Sequence, residues 1–325
     1  ERQSLYVVNH DQQQLVGEVS IPDVRNATAL DALVTAGVMQ LPVDLTEGRA
    51  QLVDPLPPNT NTIKIGGLLP YRGKLYATAY SYYDGDASQV LSHFVCDLNM
   101  VAGTVQGPFQ VGTLGAGFIA GYFGLIPAAW QAALGGPVLN GQSCLNILSR
   151  TSFGPAVSAI DPTQIGGANI ATAVPLVYYP QAHQGLGGDR GQNGLFNATA
   201  EVRGVVFPEG TRSVLFFGRL GLGPFCYGGV ECNDPTDASK GNHAYPYAYY
   251  VWAYDALDLA AVKGGTKQPW DVKPYAVWSL TLPFGNADAH INGAAYDPTM
   301  GRLFLSQAFG DGHKPLVHVF TVGTV

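Results

Sequence analysis

Apolar and polar residues alternate in short bursts along this chain, and glycine, proline or a polar cluster ends each burst before it reaches helical length. Leu75-Tyr-Ala-Thr-Ala-Tyr80 and Arg302-Leu-Phe-Leu-Ser-Gln307 are typical. Such bursts predict short strands joined by tight turns. Four segments share one order: a glycine-containing apolar strand, a polar turn, a second strand, a loop of variable length, and a third strand ending near Asp. In the first copy Ile63-Lys-Ile-Gly-Gly-Leu-Leu69 turns through Tyr71–Lys74 into the second strand, and Val90-Leu-Ser-His-Phe-Val-Cys-Asp97 closes it. In the last copy Ile291–Asp297 turns through Pro298–Gly301, and Leu316–Val322 closes it after the loop Phe309–His313. His93 and His318 occupy matching third-strand places in the two copies, where each is expected to pack against a neighbouring unit. The third strand recurs at Ala156–Asp161, after a second strand expected at Cys144–Arg150, and again at Tyr249–Asp255, after a pair within Val202–Phe217.

Phe109–Gly112, Pro175–Tyr179 and Tyr275–Leu280 follow as candidate outer strands. Four strands per unit, repeated around an axis, is a propeller, because each sheet has two apolar faces and a ring covers both. The expectation is an all-β, single-domain β-propeller over residues 1–325, with about five blades of four antiparallel strands. The N-terminal strands Leu5–Asn9 and Gln14–Ile21 help the C-terminal blade close the ring, or form a fifth blade. Two stretches break the pattern: Thr28–Gln40 mixes helix and strand signals, and Pro127–Leu134 reads as a short helical insertion stopped by Gly135-Gly136.

Composition agrees with strands. Of 325 residues 46% are hydrophobic, 13% are charged, and 41 are glycine. The net charge of -7 and the lack of any basic run exclude a nucleic-acid footprint. No unbroken apolar run reaches the length of a membrane-spanning helix. The chain opens Glu1-Arg2-Gln3 without Met, which is read as the loss of an upstream signal. Cys226 and Cys232 bracket five residues and are expected to form a disulfide, which places the chain in a secreted, extracellular or periplasmic setting. Cys96 and Cys144 read as buried thiols, and Asn26-Ala-Thr28 and Asn197-Ala-Thr199 are glycosylation sequons.

Gly218-Arg-Leu-Gly-Leu-Gly-Pro-Phe-Cys-Tyr227, Lys240-Gly-Asn-His-Ala-Tyr-Pro-Tyr247 and Gly293-Ala-Ala-Tyr-Asp-Pro-Thr-Met-Gly-Arg302 resemble uncharacterised bacterial secreted β-propeller-like proteins. The resemblance covers the second half of the chain. It implies a fold and a compartment and transfers no catalytic residue.

The strand order sorts loops to two ends. Short hairpin turns lie at one end. The longer, polar loops lie at the other and carry Asp84, Asp86, His183, Asp189, Arg190, Arg219, His243, Asp288, His290, Asp311 and His313. This face is the expected binding surface. His183, His243, His290 and His313 with nearby carboxylates would suit a transition metal or acid–base chemistry, yet none has local ligand spacing. Asp84-Gly-Asp86 offers oxygens to Ca²⁺ without a complete loop, and a polar turn is the simpler reading. No cofactor motif is evident. Glu201 enters an innermost strand at this face, either as a catalytic carboxylate partnered by Asp84, Asp86 or Asp288, with His243 and His290 as further catalytic candidates, or as the salt-bridge partner of Arg203 or another arginine, the simpler reading. The aromatic run Tyr245–Trp252 reads as a strand packed on both faces rather than as a sugar platform. No serine-hydrolase elbow, phosphate loop or haem motif occurs. The leading function is an extracellular binding or structural propeller with a glycan or protein partner and with self-assembly through strand edges. The alternatives are a glycan-active hydrolase or lyase, or a metal-dependent enzyme using the loop histidines.

Overall fold

The computed structural model describes residues 3–54, 63–84, 87–143, 151–181, 194–228 and 232–323. Five antiparallel sheets follow one another along the chain as blades. Blade one holds β1 (Ser4–His10), β2 (Leu15–Ser20) and β3 (Val38–Asp44). Blade two holds β4 (Ile63–Tyr71), β5 (Lys74–Ser81), β6 (Leu91–Asp97) and β7 (Gln106–Gln110). Blade three holds β8 (Phe123–Leu125), β9 (Val138–Asn140), β10 (Val157–Ile160) and β11 (Ala173–Val177). In blade four β12 (Glu201–Val206) pairs with β13 (Ser213–Gly221), and a small ladder of β14 (Cys226–Tyr227) and β15 (Asn242–His243) leads to β16 (Tyr247–Asp255) and β17 (Ala276–Leu280). Blade five holds β18 (Ile291–Asp297), β19 (Arg302–Asp311) and β20 (Lys314–Thr321). The chain is an all-β protein with a five-bladed propeller arrangement.

Strand alternation builds the layers between blades. On β5, Leu75, Ala77 and Ala79 face blade one, while Tyr76 joins Val95 of β6 against Phe123, Val138 and Ile160 of blade three. On β13, Val214 and Phe216 pack toward blade three and Phe217 toward blade five. The aromatic run on β16 splits the same way, Trp252 and Tyr254 to one side, Tyr247, Tyr249 and Val251 to the other. A side-chain period of two, apolar on both faces, is what a sheet sandwiched between sheets requires. First strands lie innermost: β4, β12 and β18 each meet β8, and β12 meets β18.

His93 crosses between blades. Its Nε2 donates to Asn140 Oδ1 on β9 at 2.8 Å, and its Nδ1 is 2.9 Å from the Ser92 hydroxyl. Asn140 in turn donates its amide to the Tyr122 carbonyl, which fixes the acceptor oxygen toward His93. Burial pushes the His93 pKa down to about 4, so the ring is neutral. His318 stays within its own blade, bonded to Gln307 on β19.

The outer strands fall where the pattern puts them, at β7, β11 and β17. Blade three differs in its second strand. The expected Cys144–Arg150 lies outside the described residues, and Val138–Asn140 pairs with both β8 and β10. Helix α1 (Ala116–Ile119) precedes β8, and α2 (Ala128–Leu134) is the insertion between β8 and β9, ended by Gly135 at φ 99°. Helix α3 (Ala256–Lys263) follows β16 and is capped by Asp255, whose carboxylate accepts from the Leu257 amide. It has no counterpart in the sequence reading. Cys226 and Cys232 form a disulfide, and Cys96 is a buried thiol with its pKa pushed up to about 11 by burial. No helix among the described residues is long and apolar enough to cross a membrane.

Candidate functional site

Glu201 opens β12, an innermost strand, and sits directly opposite Arg219 on β13. Cross-strand partners of opposite charge stabilise such a pair. Arg219 Nη2 donates to Glu201 Oε1 at 2.9 Å, and Nη1 reaches Asp288 Oδ1 at 3.2 Å and the Asp288 carbonyl at 3.1 Å. One guanidinium therefore spans two carboxylates. Arg203, two residues along β12, donates to Glu201 Oε2 at 3.3 Å. His290, just before β18, places Nδ1 3.5 Å from Glu201 Oε2 and Nε2 3.5 Å from Asp288 Oδ1. The cluster joins blade four to the start of blade five.

Blade two completes it. The hydroxyl of Tyr80, at the end of β5, bonds to Arg203 and favours its charged form. Tyr82 follows, with Lys64 Nζ over its ring at 5.2 Å and the Tyr83 ring edge-on at 4.9 Å. Burial, then Tyr83, then Glu201 push the Tyr82 hydroxyl up to about 12. Burial alone would raise the Glu201 carboxyl, but Arg219, His290 and Arg203 hold it well below the usual carboxylate range. The side chains of Glu201, Asp288, His290 and Arg203 are 21%, 30%, 27% and 37% exposed, so the cluster is partly open to solvent. Two carboxylates face two guanidiniums there, which leaves a nearly balanced polar surface.

A second group stands behind the first. Arg219 lies over the Tyr247 ring at 4.4 Å, and the Tyr247 hydroxyl donates to Asp234 Oδ2 at 2.7 Å. The same oxygen takes His243 Nδ1 at 2.9 Å, and His243 Nε2 faces the Ser239 carbonyl at 2.9 Å. Asp234 also accepts from the Thr236 amide and hydroxyl. Burial would raise Asp234, yet His243, Tyr247 and Thr236 hold it well below its ordinary value. Burial would lower His243, but Asp234 and the Ser239 carbonyl raise it above 6.5.

The expected face thus divides. Glu201, Arg219, Asp288 and His290 come together, while His243 is buried beside Asp234. Asp84 accepts from the Ser88 and Gln89 amides in its own turn. Asp311 and His313 lie where β19 meets β20, and His313 is exposed. Asp86, His183, Asp189 and Arg190 fall outside the described residues. Among the described residues no group of three or more His, Cys, Asp or Glu side chains is placed to hold a metal ion. The sequence reading did not single out Tyr80, Tyr82, Asp234 or Tyr247 for this site. Asp234-Pro-Thr236 was the available signal, since Asp two residues before Thr is an Asx-turn pattern that fixes a carboxylate.

No protein-family model matches the chain, and no curated protein matches it. Among solved structures, the GH43 endo-arabinanase from Bacillus licheniformis is similar at TM-score 0.39 and 12% identity, over 98% of this chain and 93% of that one. Sqt1 from Saccharomyces cerevisiae is similar at TM-score 0.32 and 12% identity, over 99% of this chain and 70% of that one. U3-55K is similar at TM-score 0.31 and 12% identity, over 94% of this chain and 70% of that one. These are likenesses of general arrangement. The fold rests on the sheet order, and the site on its own residues.

Proposed function

We propose that the chain is an extracellular binding propeller that takes a neutral polyhydroxylated ligand, a glycan, at the mouth lined by Glu201, Arg203, Asp288, His290 and Tyr82. The observation that carries this reading is the charge-balanced cluster of fixed donors and acceptors around Glu201, partly open to solvent and bordered by tyrosine rings. Paired hydroxyls of a sugar bind such donors and acceptors, and tyrosine ring faces offer stacking area. The Cys226–Cys232 disulfide supports a compartment outside the cytoplasm. The layers that pack each blade against the next in sequence support one domain.

Glycan cleavage fits the cluster less well. A general acid holds its proton near working pH, whereas Glu201 is kept ionised. The Arg219 guanidinium also occupies the space between Glu201 and Asp288 where a substrate would sit. A glycan array followed by calorimetry on the best ligand tests the reading. Glu201→Gln is expected to weaken binding by about tenfold or more, the usual effect of losing a charged hydrogen bond. Unchanged affinity in both Glu201→Gln and Arg203→Ala overturns it, and release of reducing ends that depends on Glu201 puts hydrolysis in its place.

Self-association is a second reading. Edge strand β3 leaves Val38, Met39 and Leu41 exposed, with no charged side chain between Ala32 and Val43 to block strand pairing. Light scattering is expected to show association that rises with concentration and is lost in Leu41→Lys; a monomer at every concentration removes this reading.

A further inference from the structure

His243 is 2% exposed and Asp234 1%, yet neither touches the mouth. Both ring nitrogens of His243 face acceptors, the Asp234 carboxylate and the Ser239 carbonyl. A neutral imidazole has one N–H, so this arrangement is satisfied only by the doubly protonated ring. Asp234 is the junction. Its Oδ2 takes the His243 proton and the Tyr247 hydroxyl together, and the Tyr247 ring is the surface on which the Arg219 guanidinium rests. Arg219 is the group that bridges Glu201 and Asp288. A continuous chain of contacts therefore runs from a buried ionisable pair to the binding cluster.

We infer that His243 is a pH-dependent positioning residue: doubly protonated, it fixes Asp234 and Tyr247 and so holds Arg219 in its bridging place, and its deprotonation releases Arg219 and weakens binding at the mouth. The inference rests on the reading of the mouth as a binding site and names how that site is regulated.

The charges around the ring support one direction of response. Asp234 and Asp237 favour the imidazolium, the Tyr247 hydroxyl bonds the same Asp234 oxygen, and Arg219 stands on the far side of the Tyr247 ring. Cys226 lies opposite His243 in the β14–β15 ladder and, bonded to Cys232, does not titrate. Loss of the proton turns the Nε2 lone pair toward the Ser239 carbonyl, so one bond becomes a repulsion. The site is held below the His243 titration and loosens as pH rises through it.

Nuclear magnetic resonance of the full chain without ligand tests this. Long-range ¹H–¹⁵N correlation reads both His243 ring nitrogens, the Arg219 guanidinium signals read its restraint, and hydrogen exchange corrected for intrinsic rate reads amides 234–247. The expected result is slow Arg219 guanidinium exchange below the His243 titration. Above it the signals should average, and amide protection should fall by about tenfold or more, the effect of one charge-assisted hydrogen bond. Asp234→Asn keeps an acceptor for Tyr247 but removes the charge, and it is expected to move the midpoint down by about one pH unit or more. Arg219 signals that stay unchanged through the His243 titration, or a midpoint that Asp234→Asn does not move, overturn the inference. No ligand enters this experiment, so a failure of the glycan reading and a failure of the His243 reading are separate results.

Discussion

A carboxylate met by Arg219, Arg203 and His290 is held in its ionised form, and each of these partners leans on it in turn. Taking away one arginine would strand a partly buried anion, so the cluster is held together by mutual need more than by any single strong pair. The Asn197 sequon shows a similar commitment. Its amide donates to the Gly221 carbonyl and its oxygen accepts from Thr199, so the motif is spent on a turn. Much of this was legible in single residues. Glu201 with Arg203 reads as an ion pair from a spacing of two on one strand, and the Cys226–Cys232 spacing reads as a ring. The Tyr247–Asp234–His243 group was not legible, because no local pattern announces that a tyrosine hydroxyl and an imidazole will share one carboxylate oxygen. A count of histidines puts His243 and His290 on the same footing, though one is buried between the Asp234 carboxylate and the Ser239 carbonyl and the other is partly exposed beside Glu201 and Asp288.

At the scale of elements, the inner strands must approach one another closely around the axis, and their glycines differ in how much they are needed. A Cβ built on Gly204 of β12 would lie 2.5 Å from the Ala294 Cβ and 2.6 Å from the Ala294 nitrogen on β18, with no flexible side chain to yield. A Cβ on Gly293 of β18 would meet nothing within 4 Å. Gly204→Ala is therefore expected to destabilise the fold by about 1–3 kcal/mol, the range for overpacking, while Gly293→Ala leaves it unchanged or slightly firmer. Urea unfolding of the two variants checks this, and equal stabilities would mean that the inner strands part easily. The glycines were visible in the repeat, but which of them faces a neighbour depends on strand register across blades. The same limit explains the misplaced second strand of blade three. Val138–Asn140 is too short for a period to show, and the stretch after it looked more strand-like. Helix α3 escaped notice because Ala256–Lys263 is only two turns long and follows a strand without a glycine or proline break, its one start signal being the Asp255 cap.

At the scale of the whole molecule, two buried histidines set opposite limits on stability. His93 is neutral in the folded chain with a pKa of about 4, below its unfolded 6.5. Its contribution is complete above pH 6.5 and is lost as pH falls toward 4, a difference of about 3 kcal/mol at 1.36 kcal/mol per unit. His243 is shifted the other way. Its contribution is complete below the unfolded value of 6.5 and is lost as pH rises through its raised folded value. Glu201 and Asp234, both held below the ordinary carboxylate range, add a further loss only at lower pH, as each protonates. Stability against urea is therefore expected to climb from pH 4.5 to about 6.5 and to decline on the alkaline side. The two limbs have different owners. His93→Gln should flatten the acid limb and leave the alkaline one, whereas Asp234→Asn, by lowering the folded His243 value toward the unfolded 6.5, should shrink the alkaline decline and leave the rise below 6.5 in place. A profile without an acid limb would mean that blades two and three accept a charged His93, with its Nε2–H still donating to Asn140.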